Sequence, residues 1–127
     1  MSDPGLVLVV EDSPTQAQKT SMMIKILCGL NVAVAADGIE ALRAVDANRP
    51  DVIVLDVNLP GMDGYQLCKR LKRDQTTAHI PIIMLTSADS AQAAMQGLGA
   101  GADDYIPKDV FATENLIATL RNYLSFH

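Results

Sequence analysis

The sequence predicts an α/β domain, a doubly wound five-stranded parallel sheet with helices on both faces. Two observations lead there. Short β-prone apolar runs alternate with helix-period segments along the 127 residues, as in a sheet assembled from βα units. The runs are also apolar throughout, not at every second position, as strands covered on both faces require.

The elements follow in order. "LVLVV" (6–10) is the first strand. "SPTQ" then reads as a helix start, with Ser13 as N-cap, Pro14 as first helical residue and Gln16 as reciprocal partner of a capping box. That helix carries Met22, Met23, Ile24, Ile26 and Leu27 and stops at Gly29. "VAVAA" (32–36) is the second strand, and the helix "DGIEALRAVDANRP" sets Ile39, Leu42 and Val45 on one face before Asn48 and Pro50 end it. "VIVLD" (52–56) is the third strand, followed by a turn and the helix "GYQLCKRLKRD". "IPIIMLTS" (80–87) is the fourth strand, leading to an alanine-rich helix that ends near Leu98. Gly97, Gly99 and Gly101 near its end make that helix a weak one. "DDYIP" (103–107) is a short fifth strand, and the last helix aligns Leu116, Ile117, Leu120, Tyr123 and Leu124.

Composition narrows the function. With 49% hydrophobic and 20% charged residues, the chain has the make-up of one soluble globular domain with a real core. A formal charge of −5 argues against a nucleic-acid partner, which needs a basic field. The run "KRLKR" (69–73) is expected to be the solvated face of an amphipathic helix. Cys28 and Cys68 lie in helices without metal-ligand spacing and are expected to be reduced core or boundary residues; His79 and His127 are isolated. "MSDPG" has no basic leader, and no apolar stretch approaches bilayer length, so the expectation is a cytoplasmic protein without membrane contact.

In an open parallel sheet, ligands bind at the carboxyl ends of the strands, where the winding changes direction. Those ends are polar here: Glu11 and Asp12 after the first strand, Asp56 after the third, Thr86 and Ser87 after the fourth, and Lys108 after the fifth. Alone, Asp12 or Thr86 could be a helix cap, Asp56 a turn residue and Lys108 a solvated charge. Together they bring three carboxylates, a hydroxyl and an ammonium to one edge. Clustered carboxylates drive one of their number toward protonation unless a cation compensates. Oxygen-only ligands select a hard ion such as Mg²⁺. Such a set suits phosphoryl transfer, in which positioning and charge neutralisation do most of the catalysis. Asp56 is the best-placed nucleophile.

These residues resemble the receiver domain of two-component response regulators, including the stand-alone chemotaxis regulator. "VVEDSP", "DVIVLDVNLPGMDGY", "IPIIMLTS" and "GADDYIPK" carry the resemblance over about residues 5–125. It implies a flavodoxin-like fold with strand order 2-1-3-4-5 and a single receiver domain over 1–127 without an output domain. It also implies that Asp56 is the phosphoacceptor and that Asp12 ligates Mg²⁺ with Glu11 assisting, joined by Asp56 and the backbone carbonyl of Asn58. Thr86 would be the switch hydroxyl, Lys108 the cation paired with the phosphoryl group, and Tyr105 the aromatic switch. Pro60 and Gly61 would shape the loop after the nucleophile, while Asn58 and Ala88 stand where the phosphoryl lifetime is tuned. The implied partners are a histidine kinase or histidine phosphotransfer protein and a downstream protein bound at the face of the fourth helix, fifth strand and fifth helix. The implied state is a monomer or a phosphorylation-dependent dimer, acting as a switch and not as an enzyme.

The chain departs from the family pattern twice. Asp109 follows Lys108 where receivers usually have a cis-linked proline. A non-prolyl cis bond costs about 2.5–4 kcal/mol, which leaves open a trans bond and a differently aimed lysine. Glu11 stands where a second aspartate is common. Two other functions are weighed against the switch. A haloacid-dehalogenase-like phosphatase shares the Asp, Thr, Lys and Mg²⁺ set, but Asn58 replaces its second acid, there is no room for a cap, and Glu11 and Asp12 would have no role. A degenerate receiver acting as a phosphorylation-independent binding module would fit Asp109 but not the complete acidic set.

Overall fold

The computed structural model describes residues 5–57, 59, 61–86 and 91–124, with side chains of the last segment from 95 onward. Asn58, Pro60, Ser87 and Ala88 of the expected site lie outside the described residues. The strands are β1 (Leu6–Val10), β2 (Asn31–Ala35), β3 (Val52–Asp56), β4 (Ile82–Thr86) and β5 (Asp104–Pro107). The helices are α1 (Pro14–Cys28), α2 (Gly38–Ala47), α3 (Gly64–Arg73), α4 (Ala91–Gly99) and α5 (Ala112–Tyr123). All strand pairs are parallel, in the order β2-β1-β3-β4-β5.

Every position of β3 and β4 is buried, which is why these runs are apolar without alternation. Their side chains divide between two cores. Leu8, Ile53, Leu55, Ile82 and Met84 pack with Ala41 and Val45 of α2 and Leu67, Cys68 and Leu71 of α3. Val7, Val9, Val54, Ile83 and Leu85 pack on the other face with Ile24 and Cys28 of α1 and Leu116 and Leu120 of α5. Cys28 and Cys68 are both free thiols in these cores. Lys72 of "KRLKR" is not simply solvated. It donates to the carbonyls of Ala78 and Ile80 and to Asp103, pinning the segment that leads into β4.

Several details differ from the sequence expectation, among them that β4 starts at Ile82 and β5 at Asp104, each later than the sequence pattern suggests. Strand β2 starts and ends one residue early: Asn31 pairs with Leu6 at its start, and at its end Ala36 N–H donates to Glu40 Oε2 (3.0 Å), which draws Ala36 into the cap of α2. Helix α2 buries Gly38, Ala41 and Val45 and leaves Ile39 59% exposed, since its close seam runs through small residues. A Cβ at Gly38 would come within 3.0 Å of Met62 Sδ. On α5, Tyr123 leaves the apolar stripe and its hydroxyl donates to Asp104 at the start of β5.

Candidate functional site

The order 2-1-3-4-5 changes winding direction between β1 and β3, and the polar strand ends converge there. Glu11 continues the ladder past β1, its N–H donating to Ala35 O (3.0 Å). Its carboxylate is buried and holds two donors, Ser13 N–H on Oε2 (3.2 Å) and Lys108 Nζ on Oε1 (3.2 Å). Asp12 beside it is exposed. Asp56 ends β3 with only 7% exposure, and its Oδ2 accepts from Lys108 Nζ at 2.8 Å. Glu11, Asp12 and Asp56 offer ligand oxygens that all lie within 4.8 Å of one another.

Electrostatics follow from this crowding. Burial, then the hydrogen bond and charge of Asp56, push the Glu11 carboxyl above its ordinary value against the opposing pull of Ser13 N–H and Lys108. Burial also works against the Lys108 ammonium, but the hydrogen bonds and charges of Asp56 and Glu11 outweigh it and hold the group above the usual lysine value. Two carboxylates at close quarters with a third beside them are the donor set a hard divalent cation takes, so the residues fit Mg²⁺.

Lys108 reaches this position from a trans loop: no cis peptide bond occurs among the described residues. Lys108 N–H donates to Thr86 O (2.7 Å), which ties the β5 exit to β4. Asp109 turns away and accepts from Phe111 N–H (2.8 Å), so its charge is spent on the start of α5. Its presence therefore does not aim the lysine elsewhere. Thr86 is fully buried at the end of β4. Tyr105 is half-buried, with its Cδ2 3.2 Å from where a Cβ on Gly97 would stand, so its ring lies against α4.

The loop after Asp56 returns to the strand it left. Gly61 takes a left-handed φ of +78°, and Gly64 N–H donates to Val57 O at 2.7 Å. A Cβ at Gly64 would sit 2.5 Å from Asp56 O and 2.7 Å from Val57 Cα. Gly64 thus lets the first turn of α3 rest on the backbone that carries Asp56. Sequence reasoning passed it over, because its φ is ordinary and the need for glycine is a tertiary contact. Gln16 was also misassigned. Ser13 Oγ does accept from Gln16 N–H (3.3 Å), but the Gln16 side chain does not return to Ser13. Glu11 takes the Ser13 N–H, and Gln16 Oε1 accepts from Lys108 Nζ at 3.1 Å instead. Between α1 and α5 the site opens into a cavity of about 250 Å³ floored by Val9, Val54, Leu85 and Leu116.

Residues 7–121 match the family model described as the response regulator receiver domain. The chain belongs to this family. Response regulator MprA of Mycobacterium sp. (strain KMS) is 41% identical over 121 residues, covering 95% of this chain and 51% of that protein. The receiver chain therefore spans about half the length of the curated relatives it matches. Chemotaxis protein CheY4 of Vibrio cholerae superposes with a TM-score of 0.86 at 36% identity, covering 95% of this chain and 99% of that one. The receiver domain of sensor histidine kinase PA1611 from Pseudomonas aeruginosa, with magnesium coordinated in its active-site cleft, has a TM-score of 0.84 at 32% identity and covers 94% and 97%. The flavodoxin-like order expected from the sequence is the one found. Receiver domains are the signalling switches of two-component systems, and the family binds Mg²⁺ at its acidic site. Among the described residues no helix is long and apolar enough to cross a membrane.

Proposed function

We propose that this receiver takes a phosphoryl group onto Asp56 from a phosphohistidine of a histidine kinase or phosphotransfer protein. One observation carries the reading: a buried strand-end carboxylate is held 2.8 Å from an ammonium, with two more carboxylates within ligand reach. A carboxylate oxygen of Asp56 attacks phosphorus as the phosphorus–nitrogen bond of the donor breaks, and the imidazole leaves with a proton from solvent. Asp12 and Asp56, assisted by Glu11 and the Asn58 carbonyl, would hold Mg²⁺, which supplies charge neutralisation on the transferring group. Lys108 is already at the nucleophile and neutralises the oxygens that gain charge. A carboxylate nucleophile needs no general base to activate it.

The adduct would be read by Thr86 and Tyr105, the latter lying against α4, and passed to the face of α4, β5 and α5. Met95 and Leu98 on α4, and Val110 and Phe111 in the connection from β5 to α5, are exposed apolar side chains that would suit a protein partner or, after phosphorylation, a second copy of the chain. We read the output as a protein contact in the cytoplasm, without nucleic-acid binding by the receiver itself. The chain acts as a switch that assists its own phosphorylation, and Lys108 on Asp56 speaks for a working site over a scaffold with lost chemistry.

The test is intact mass after incubation with Mg²⁺ and acetyl phosphate. Uptake of one phosphoryl group that disappears with chelator and in Asp56→Asn is expected. Continuous phosphate release without an adduct would instead favour a phosphatase, and no uptake from either acetyl phosphate or a phosphohistidine donor would leave the binding-module reading.

A further inference from the structure

We infer that Gln16 is a positioning residue for Lys108, fixing the ammonium over Asp56 in place of the loop geometry this chain lacks. The inference rests on the reading of Asp56 as phosphoacceptor. Lys108 carries its ammonium on four rotatable bonds from an exposed loop, and the residue after it is Asp109, so no proline ring stiffens the connection. Backbone bonds hold the loop itself, through Lys108 N–H to Thr86 O (2.7 Å) and Asp109 N–H to Pro107 O (3.0 Å). They do not aim the side chain. Three acceptors do: Asp56 Oδ2 at 2.8 Å, Gln16 Oε1 at 3.1 Å and Glu11 Oε1 at 3.2 Å. An ammonium has three protons to give, and this set uses all three.

The acceptors differ in kind. Asp56 and Glu11 are carboxylates at the acidic cluster and are the ones a hard cation draws on. Phosphorylation also changes Asp56 covalently. Gln16 is a neutral amide outside the cluster, and a weaker ligand for such an ion. It is therefore the anchor whose hold on Lys108 changes least through the cycle.

Local structure supports this use of the side chain. At the third position of α1, a glutamine would ordinarily fold back onto the cap residue's N–H. Here Ser13 N–H goes to Glu11 Oε2, and the Ser13 Oγ cap is served by the backbone N–H of Gln16. The amide side chain is released from capping and spans 92 residues of sequence to Lys108. Its substitution leaves both cap bonds of α1 in place.

The experiment compares the wild-type chain with Gln16→Met, which keeps length and apolar stem but has no comparable acceptor. Phosphorylation by acetyl phosphate is expected to slow three- to tenfold, with Mg²⁺ affinity within twofold and the melting temperature unchanged. A second readout is lysine ¹⁵N NMR without phosphodonor, in which the Lys108 ammonium protons should exchange with water several-fold faster in Gln16→Met. In a Lys108→Met background, Gln16→Met should have no further effect on the rate, since nothing remains to be positioned. If the wild type is phosphorylated and Gln16→Met matches it in rate and in ammonium exchange, the inference is wrong. It is also wrong if Mg²⁺ affinity or melting temperature falls in step with the rate, which would make Gln16 a general structural residue. Failure of the wild type to take up phosphate overturns the phosphoacceptor reading instead, and the NMR comparison still decides whether Gln16 holds Lys108.

Discussion

Gly64→Ala places one methyl group against the backbone that carries Asp56. The added Cβ would stand 2.5 Å from Asp56 O and 2.7 Å from Val57 Cα, whereas real Cβ atoms essentially never approach within 3.0 Å. Something must therefore recede by about 0.5 Å. Neither side yields cheaply. Asp56 is locked in register beside Leu85, and the helix start is held by Gly64 N–H on Val57 O and by the Asp63 cap on Gln66 N–H. Overpacking of this kind costs about 2–3 kcal/mol. In a domain of this size that lowers the melting temperature by about 8–12 °C. Since a misplacement of 1 Å can cost about a hundredfold in rate, half of that predicts about a tenfold slower phosphorylation. The assay is a pair: thermal unfolding by circular dichroism, and phosphoryl uptake by intact mass at a temperature where the variant is folded. Gly99→Ala at the end of α4 is the control, because a Cβ there meets nothing within 4 Å and the change should leave both readouts unharmed. Wild-type stability and rate in Gly64→Ala would refute the claim that this glycine is required by close approach.

Two further outcomes follow from the same contacts. Lys108→Met removes the cation between Asp56 and Glu11, so two carboxylates face each other uncompensated; stability without divalent ion should drop by about 1–3 kcal/mol, Mg²⁺ should bind more tightly, and added Mg²⁺ should restore most of the loss in a urea titration. Burial pushes the Cys68 thiol from its usual 9 up to about 11. The unfolded chain then releases this proton first, so the stabilisation is complete below pH 9 and is lost as pH rises from about 9 through about 11. The loss should amount to about 2–3 kcal/mol, read as a fall in urea midpoint that flattens in Cys68→Ala.

Much of the fold was legible because the physics that makes it is local. Continuous apolar runs mark strands covered on both sides, and Ser13 and Gly29 mark the ends of α1 through backbone chemistry within a few residues. What was missed depends on partners far away in the chain. The end of β2 shifted because Glu40 reaches back to Ala36, and Ile39 turned outward because the tight seam of α2 runs through Gly38 and Ala41. The strand-end position of Asp56 and Lys108 was readable from the alternation of elements, but the aim of Lys108 was not. With Asp109 after it, only the three acceptors around its ammonium determine where it points, and one of those, Gln16, had a plausible local task that it does not perform.

The lysine at the centre of the site joins parts of the chain that are remote in sequence: 52 positions separate it from Asp56 and 97 from Glu11. No short segment of the polypeptide contains the lysine together with Asp56 or Glu11. During folding it can assemble only when the first strand, the middle strand and the last strand are all in register, so it comes into being with the finished sheet and not before. A ligand that needs these groups together therefore binds the native state alone and stabilises it by mass action. Its saturation at a given denaturant concentration counts the molecules whose two ends have found each other, which makes the site a built-in gauge of complete folding, readable without any label on the chain.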